Sequence, residues 1–295
     1  MSVASSHNHD SLQKNTTERY FEDKLVAQNY AIYRPPYPDS VFIASVNFLN
    51  SNATNEANKF PFAVDVGCGT GHQSTVPLAK YFDSVLGVDI SKEQISEAEK
   101  SKHPENVNFK VSAGESLPVE DETVSLLQAA TAAHWMNLDK FYKEADRVLT
   151  PGGVIALFSY SSGFQTLDHH HSAEINAILE EMEDRPYKRG FYAAGNCKLK
   201  RRYTDNCFLI PYTDTVRLNN IPQPVTATVE GFLGFYSNQS PFRRMKEAEP
   251  DLTAKWMEDV TTRLLNTLET TGMSSEFTYN LEVHMLLGRK PHQPK

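Results

Sequence analysis

The sequence predicts a doubly wound α/β fold, in which a mostly parallel sheet carries helices on both of its faces. Short apolar segments alternate with helical patterns between about residues 60 and 160, at the spacing of βαβ units. The first of these segments, 62–66, runs directly into the glycine-rich turn 67–71, a combination typical of nucleotide-binding folds. A chain of 295 residues, 40% of them hydrophobic, is long enough to bury the core of one such domain.

Each element of the first half follows from a local pattern. Polar residues without periodicity predict a disordered tail over 1–18, ahead of a single domain over 19–295. Ser91 and Gln94 match the capping box that opens a helix, whereas Pro77 fits only the first turn of the preceding helix or a kink in it. The predicted strands are 62–66, 84–90, 107–111, 123–130 and 154–160, and the predicted helices are 41–49, 72–81, 91–102 and 138–149.

The regular alternation ends after Tyr160. We therefore divide the domain into a cofactor-binding core, 25–160, a substrate cap, 161–250, and a last helix and strand of the sheet, 251–295. Pro241 and Phe242 are expected to interrupt the chain before the last helix. The predicted elements of the second half are helices over 172–184, 229–236 and 252–268, and strands over 213–218 and 277–288.

Composition and charge disfavour several classes of function. A formal net charge of −8 argues against a general nucleic-acid-binding protein, which would carry a basic stripe. Cys68, Cys197 and Cys207 have no metal-ligand spacing, and an odd number of cysteines suits a reducing compartment. The polar N-terminus has no signal core, and no apolar stretch approaches the roughly 20 residues of a membrane helix. We expect a cytoplasmic monomer or homodimer with no metal, no membrane contact and no nucleic-acid partner.

The glycine turn and two acidic residues outline one binding site. Asp65 precedes Gly67, and Asp89 follows Gly67 by 22 positions, near the roughly 20-residue spacing of a ribose-binding acid. The carboxyl ends of parallel strands meet in one crevice, so the loops after all of these strands are expected to gather there. Asp65 would repel a diphosphate, and no Lys-Ser/Thr pair follows the turn. The pattern therefore favours a ligand with a positive amino or sulfonium group over NAD or ATP.

These residues resemble the first motif of the class I S-adenosylmethionine-dependent methyltransferases. The resemblance rests, in order along the chain, on 64–71, Asp89, 113–118 and 151–153. A narrower resemblance, to the type 11 small-molecule methyltransferases that include trans-aconitate methyltransferases, rests on 30–38 and 133–135. The family implies a Rossmann-like seven-stranded sheet with an inserted cap. It also implies S-adenosyl-L-methionine as cofactor and S-adenosyl-L-homocysteine as product.

Carried over by position, the resemblance implies a set of cofactor contacts. Asp65 would contact the methionyl amino group directly or through water, and Asp89 would accept both ribose hydroxyls. Ala113, Gly114 and Glu115 would line the adenine. The complete predicted set is Tyr30, Arg34, Asp65, Gly67, Cys68, Gly69, Thr70, Gly71, Asp89, Ile90, Ala113, Gly114, Glu115, Ala129 and Ala130.

The methyl acceptor is less closely defined by the sequence. Methyl transfer depends mainly on alignment of the reacting atoms, so a carboxylate acceptor needs no base, whereas a phenol or thiol could use His134. We expect a small-molecule acceptor and O-methylation, with a carboxylate as one possibility. The alternatives are N- or S-methylation of a metabolite or protein side chain, and a cofactor-binding partner protein without activity. The residues predicted near the acceptor are Tyr33, His134, Trp135, Tyr236 and Arg243.

Several of these residues also have a purely structural interpretation. Tyr30, Tyr33 and Arg34 could belong either to a lid over the ligand or to a linker pinned by tyrosines. His134 and Trp135 could be an aromatic pair packed under the cap. The run His169, His170 and His171 fits a solvated loop better than a metal site, because three consecutive histidines on regular structure cannot all face one ion.

Overall fold

The computed structural model describes residues 34–51, 59–166 and 169–292, in which helices cover a seven-stranded sheet. The predicted tail, 1–18, and the predicted site residues Tyr30 and Tyr33 lie outside these ranges. The strands are β1 (Phe60–Val66), β2 (Phe82–Asp89), β3 (Val107–Val111), β4 (Val124–Ala130), β5 (Leu149–Gln165), β6 (Asp214–Thr228) and β7 (Glu276–Arg289).

Eight α-helices belong to the described part of the chain. They are α1 (Asp39–Asn50), α2 (Lys92–Lys100), α3 (Leu138–Val148), α4 (Ser172–Lys188), α5 (Ala194–Lys200), α6 (Val229–Ser237), α7 (Ser240–Ala248) and α8 (Pro250–Thr267). Three single turns of 3₁₀-helix, at Val76–Lys80, Ala133–Trp135 and Asn206–Phe208, lie in the connections. Each helix in the described ranges is too short or not apolar enough to cross a bilayer.

The strand order is β3-β2-β1-β4-β5-β7-β6. Strands β1 to β5 pair in parallel, and β7 runs antiparallel to both of its neighbours, β5 and β6. The predicted doubly wound, mostly parallel sheet of seven strands is confirmed. The order reverses direction between β1 and β4, and ligands of such sheets bind outside the carboxyl ends of the strands at that point.

Both faces of the central strands are buried, as their apolar residues require. Neighbouring residues on a strand point to opposite faces. Ala63 of β1 packs in one hydrophobic core with Phe42 of α1 and Trp256 of α8, whereas the adjacent Val64 packs in a second core with Phe141 of α3. The central strands are therefore held between two helical layers.

The structure corrects three of the predicted elements. Residues 72–81 form turns and the 3₁₀ segment Val76–Lys80 instead of an α-helix, with Pro77 in its first turn. Pro241 begins α7 instead of interrupting the chain, because proline is well tolerated where a helix starts. Strand β6 is longer than the predicted 213–218 and lies inside the range 161–250, so part of the predicted cap belongs to the sheet.

Candidate cofactor and acceptor site

The glycine turn after β1 has the backbone that its sequence predicts. Gly67, Gly69 and Gly71 all adopt left-handed φ angles, of 69°, 58° and 72°. The amides of Gly67 and Cys68 both donate to the carbonyl of Val88, at 2.8 and 3.0 Å, which holds the turn against the end of β2. The turn is thus fixed beside Asp89, the last residue of β2.

Asp89 joins the glycine turn to the start of α2. Its Oδ2 accepts from the amide of Gly69 at 2.9 Å, and its Oδ1 accepts from the amide of Ser91 at 2.9 Å. Burial raises the pKa of Asp89, and these amide hydrogen bonds oppose the rise. A carboxylate has about four acceptor positions, so each oxygen can still accept a ligand hydroxyl. Beside it, the side chain of Ile90 is 49% exposed, an apolar surface that a flat ring could cover.

Asp65 lies beneath the turn and is fully buried. Its Oδ2 accepts from the hydroxyls of Ser74 at 2.7 Å and Thr75 at 2.6 Å. Burial raises the pKa of Asp65 to about 6; the hydroxyls of Thr75 and Ser74 and the Gln128 side chain oppose the rise, and the charge of Asp89 adds to it. Oδ1 of Asp65 is buried and has no hydrogen-bond partner of normal geometry in the described part of the chain. This buried oxygen is suited to accept from a cationic N–H group of a ligand.

Two further turn residues have different environments. The hydroxyl oxygen of Thr70 is buried without a partner among the described residues, so Thr70 can also serve a polar ligand group. Cys68 is buried and donates its thiol to the carbonyl of Gly69 at 3.4 Å. Burial and the charges of Asp89 and Asp65 raise the pKa of this thiol, which favours its protonated, less nucleophilic form.

The loop after β3 provides a close-packed wall. At Gly114, a Cβ would lie 2.5 Å from Cγ1 of Val66 and 3.3 Å from the sulfur of Met136. Ala113 beside it is exposed. Glu115 has a structural task, because its Oε1 accepts from the amide of Asn137 at 2.8 Å just before α3. Met136, whose methyl group also faces Gly67, belongs to this wall although no sequence motif indicated it.

Polar side chains form a second group beside the end of β4 and the adjoining part of β5, which we call the strand-end cluster: Tyr37, Thr131, His134, Ser159 and Tyr203. Ala129 and Ala130 are buried at the end of β4, directly before Thr131. Thr131 has a left-handed φ of 50°, and its hydroxyl is hydrogen-bonded by both Tyr37 and, at 3.0 Å, Ser159. A left-handed backbone at a non-glycine residue often marks a functional site.

His134 is the predicted catalytic residue, and the structure places it within this cluster. Its ring is buried, and Nδ1 lies 2.7 Å from the hydroxyl of Tyr203. Burial lowers the pKa of His134 to about 3, and the charges of Arg34, Lys198 and His284 act in the same direction. His134 is therefore neutral at physiological pH and a weak base.

The neighbouring residues explain how the cap covers this group. The rings of His134 and Trp135 lie 4.9 Å apart, and a Cβ at Gly195 of α5 would lie 2.8 Å from the ring of Trp135. Trp135 thus packs under α5, as the structural interpretation of this pair predicted. Tyr203 follows α5, stacks on Phe208 at 4.1 Å and has a left-handed φ of 55°.

The segment 34–38 is hydrogen-bonded to three separate parts of the chain. Gln73 donates to the carbonyl of Arg34 at 3.3 Å, Gln223 of β6 donates to the carbonyl of Pro36, and Tyr37 reaches Thr131. The guanidinium of Arg34 lies 4.9 Å from the centre of the Tyr160 ring. These contacts hold 34–38 beside the glycine turn and the strand-end cluster; the lid over the ligand stays a prediction, because Tyr30 and Tyr33 lie outside the described residues.

Two predicted acceptor residues lie in the helical layer instead. The hydroxyl of Tyr236 donates to the carbonyl of Met182, and its ring packs against Phe242 and Trp256. Tyr236 is therefore a core residue, and the structure does not bring it to the strand ends. Arg243 lies on α7, which packs against α4, α6 and α8.

Sequence reasoning missed Tyr203 and His284 of this region. His284 lies on β7 opposite Ser159 of β5, and its ring contacts that of Tyr203 edge-on at 4.9 Å. Both ring nitrogens of His284 are buried without a partner among the described residues, and burial lowers its pKa to about 3. The available signal was a lone histidine in the otherwise apolar end of a predicted strand.

Known proteins share this chain's motifs and fold. A family model described as a methyltransferase domain matches residues 64–157. A Dictyostelium discoideum protein named as a methyltransferase is 28% identical over 278 residues, which cover 93% of this chain and 97% of that protein. A Saccharomyces cerevisiae protein named as an S-adenosylmethionine-dependent methyltransferase is 29% identical over 146 residues, 48% of this chain and 47% of that protein.

The fold is also similar to that of a solved structure from Anaeromyxobacter dehalogenans, which is described as a type II methyltransferase. The TM-score is 0.68 at 23% sequence identity, over 88% of this chain and 100% of the other. The matched methyltransferase domain and these relatives support a class I S-adenosylmethionine-dependent methyltransferase, and the solved structure supports the fold.

Proposed function

We propose that this methyltransferase transfers a methyl group from S-adenosyl-L-methionine to a carboxylate oxygen of a small molecule. The observation that carries the proposal is the combination, at the strand ends, of the Arg34 cation with a histidine too weakly basic to activate a protonated acceptor. The acceptor class is inferred from this chemistry, and the cofactor site from the residues around the glycine turn.

The residues around the turn fit the cofactor. The buried Oδ1 of Asp65 suits the methionyl ammonium, and the carboxylate of Asp89 suits the two ribose hydroxyls. The exposed face of Ile90 and the wall at Gly114 suit the adenine. When bound, S-adenosyl-L-methionine supplies an electrophilic methyl group on a cationic sulfur. The protein must then orient the acceptor and exclude water.

The weak basicity of His134 favours an acceptor that is already ionised. An alcohol, phenol or protonated amine has to lose a proton, and a useful general base has a pKa near the working pH. His134, with a pKa of about 3, is far from that value. A carboxylic acid ionises near pH 4 without help, so a carboxylate can attack directly. His134 and Tyr203 then serve to orient the acceptor.

Arg34 is the residue best placed to recognise a carboxylate. Burial raises the pKa of Tyr37 and lowers that of His134; the charge of Arg34 is close enough to oppose the first shift and to add to the second. Guanidinium groups bind carboxylates through paired hydrogen bonds. The resemblance of 30–38 and 133–135 to the group that includes trans-aconitate methyltransferases supports the same acceptor class.

A product test separates a methyl ester from the alternatives. The protein is incubated with S-adenosyl-L-methionine labelled in the methyl group and with fractions of a small-molecule extract. Mild alkali hydrolyses methyl esters and releases volatile labelled methanol, whereas methyl ethers, amines and thioethers retain the label. We expect alkali-labile product. Alkali-stable product would overturn the carboxylate proposal in favour of another acceptor atom.

Variants connect that product to the proposed residue. Arg34→Gln should raise the KM for the acceptor at least about tenfold, equivalent to about 1.4 kcal/mol, and leave the affinity for S-adenosyl-L-homocysteine within about twofold. Arg243→Gln, which removes an arginine from α7, is the matched control and should leave both values unchanged. Equal KM values for the two variants would show that Arg34 does not bind the acceptor.

A further inference from the structure

A group of metal-ligating side chains lies away from the strand ends, where α4 begins and α8 ends. His170 and His171 directly precede α4, and Glu269 follows α8. One ligand atom from each of the three residues can be chosen so that all lie within 4.8 Å of one another. Two imidazoles and one carboxylate are a common donor set for Zn²⁺.

Both imidazoles approach the carboxylate of Glu269, one at each of its oxygens. Nε2 of His170 lies 3.4 Å from Oε2 of Glu269, and Nε2 of His171 lies 3.4 Å from Oε1 of the same carboxylate. N–H···O hydrogen bonds are usually about 2.7–3.2 Å. Bonds of about 2.0–2.1 Å to a tetrahedral ion place neighbouring ligand atoms about 3.3 Å apart.

Both histidines can face one carboxylate because they lie outside regular structure. His171 is the residue before the first turn of α4, with φ −101° and ψ 30°. The carboxylate comes from Glu269, 98 positions after His171. The proposed group therefore needs only two of the three consecutive histidines. His169 has another role, because its Nδ1 accepts from the amide of His171 at 3.1 Å.

The two helices that carry these residues are held together independently of the group. Glu181 of α4 accepts from Nε1 of Trp256 at 2.7 Å and from Arg263 at 2.8 Å, both on α8. Arg185, one turn further along α4, lies 4.7 Å from the ring of Trp256. These contacts run antiparallel, so the start of α4 and the end of α8 meet with fixed geometry. The side chains themselves remain accessible: those of His170 and Glu269 are 63% and 64% exposed.

We propose that His170, His171 and Glu269 form a binding site for a divalent cation of the Zn²⁺ class. Three protein ligands leave one tetrahedral position for water. The ion would connect the first turn of α4 to the end of α8 and thereby stabilise the helical layer beside the sheet. The site is independent of the proposed acceptor and of methyl transfer.

Calorimetry with Zn²⁺ on the untagged full-length protein tests this site. We expect saturable binding to the wild type, weakened at least about tenfold by His170→Ala and by Glu269→Gln. His169→Ala is the matched control, from the same histidine run, and should remain within about threefold of the wild type. Zn²⁺ should also raise the Tm of the wild type and of His169→Ala, but not that of Glu269→Gln, since only a bound ion stabilises the folded state.

Two results would overturn the proposal. One is the absence of saturable Zn²⁺ binding to the wild type. The other is equal binding by the wild type, His170→Ala and Glu269→Gln, which would assign the ion to other residues such as the exposed Cys207. Circular dichroism of each metal-free variant establishes that lost binding does not come from unfolding.

Discussion

Replacing Asp89 tests whether the end of β2 binds the cofactor ribose. The structure gives this carboxylate two tasks, because it accepts from the amides of Gly69 and Ser91 at 2.9 Å and has further acceptor positions for a ligand. Asp89→Ala would remove both tasks at once. Asp89→Asn keeps a side chain of the same shape and one carbonyl oxygen, so it is the more informative variant.

The expected magnitude follows from the hydrogen bonds lost. A hydrogen bond to a charged group contributes about 1.5–3 kcal/mol. Losing one hydrogen bond to a ribose hydroxyl should therefore weaken binding of S-adenosyl-L-homocysteine by at least about tenfold, since about 1.4 kcal/mol corresponds to a factor of ten. Asp89→Ala should lose at least as much affinity and should also lower the free energy of unfolding, because two buried amides lose their acceptor.

Isothermal titration calorimetry measures the affinity, and Ser91→Ala is the control. The hydroxyl of Ser91 accepts from the amide of Gln94 at 3.2 Å and caps α2. Its removal should cost about 1 kcal/mol of stability and leave the affinity within about twofold. The reasoning fails if Asp89→Asn and Asp89→Ala bind the ligand as tightly as Ser91→Ala does.

Three further predictions address other parts of the site. The ionised form of Asp65 should pair with the ligand ammonium, and its pKa is about 6, so S-adenosyl-L-homocysteine should bind more tightly as the pH rises from 5 to 7. Asp65→Asn should lose that pH dependence in calorimetry; an unchanged profile would exclude Asp65 as its source. His134→Gln should lower kcat by less than about tenfold, whereas a loss of about 10² or more would indicate general-base catalysis. Gly71→Ala should lower the free energy of unfolding, measured with denaturant, by more than Gly190→Ala does. Both positions have a left-handed φ, but only at Gly71 would a Cβ collide with Phe109, at 2.2 Å. Equal losses would mean that Phe109 moves aside.

The raised pKa of Asp65 also affects folding. An acid whose pKa is higher in the folded state than in the unfolded state destabilises the folded state as it ionises. The free energy of unfolding therefore falls as the pH rises from about 4 to about 6. A rise from 3.8 to about 6 corresponds to about 3 kcal/mol, since one pKa unit is about 1.4 kcal/mol. A ligand ammonium beside Oδ1 would recover part of that cost, which links the stability of this site to its occupancy.

The sequence signals of the proposed cofactor half are local. The left-handed turn required glycines, Asp89 ended an apolar strand, and Ser91 preceded a helical pattern. The capping box, however, forms only in part. The hydroxyl of Ser91 accepts from the amide of Gln94 as expected, whereas the amide of Ser91 donates to Asp89. When two acceptors lie near one backbone amide, sequence spacing alone does not show which of them the amide will bind.

The residues of the proposed acceptor half meet only in the folded chain, so sequence spacing could not predict the group. Tyr203 and His134 are 69 positions apart, and His284 reaches them from the last strand. Tyr236 was predicted near the acceptor but lies in the core. The sequence pattern of an aromatic residue on a helix is the same in both environments. The failed helix over 72–81 has a more local cause: Ser74 and Thr75 donate their hydroxyls to Asp65, and Pro77 follows immediately.

A crystal structure with S-adenosyl-L-homocysteine tests the central claim most directly. We predict that the ribose hydroxyls bind Asp89, that the adenine lies against Ile90 and Gly114, and that the sulfur faces the strand-end cluster. An adenosine bound away from Asp89, or a sulfur directed away from His134 and Tyr37, would contradict the proposed site.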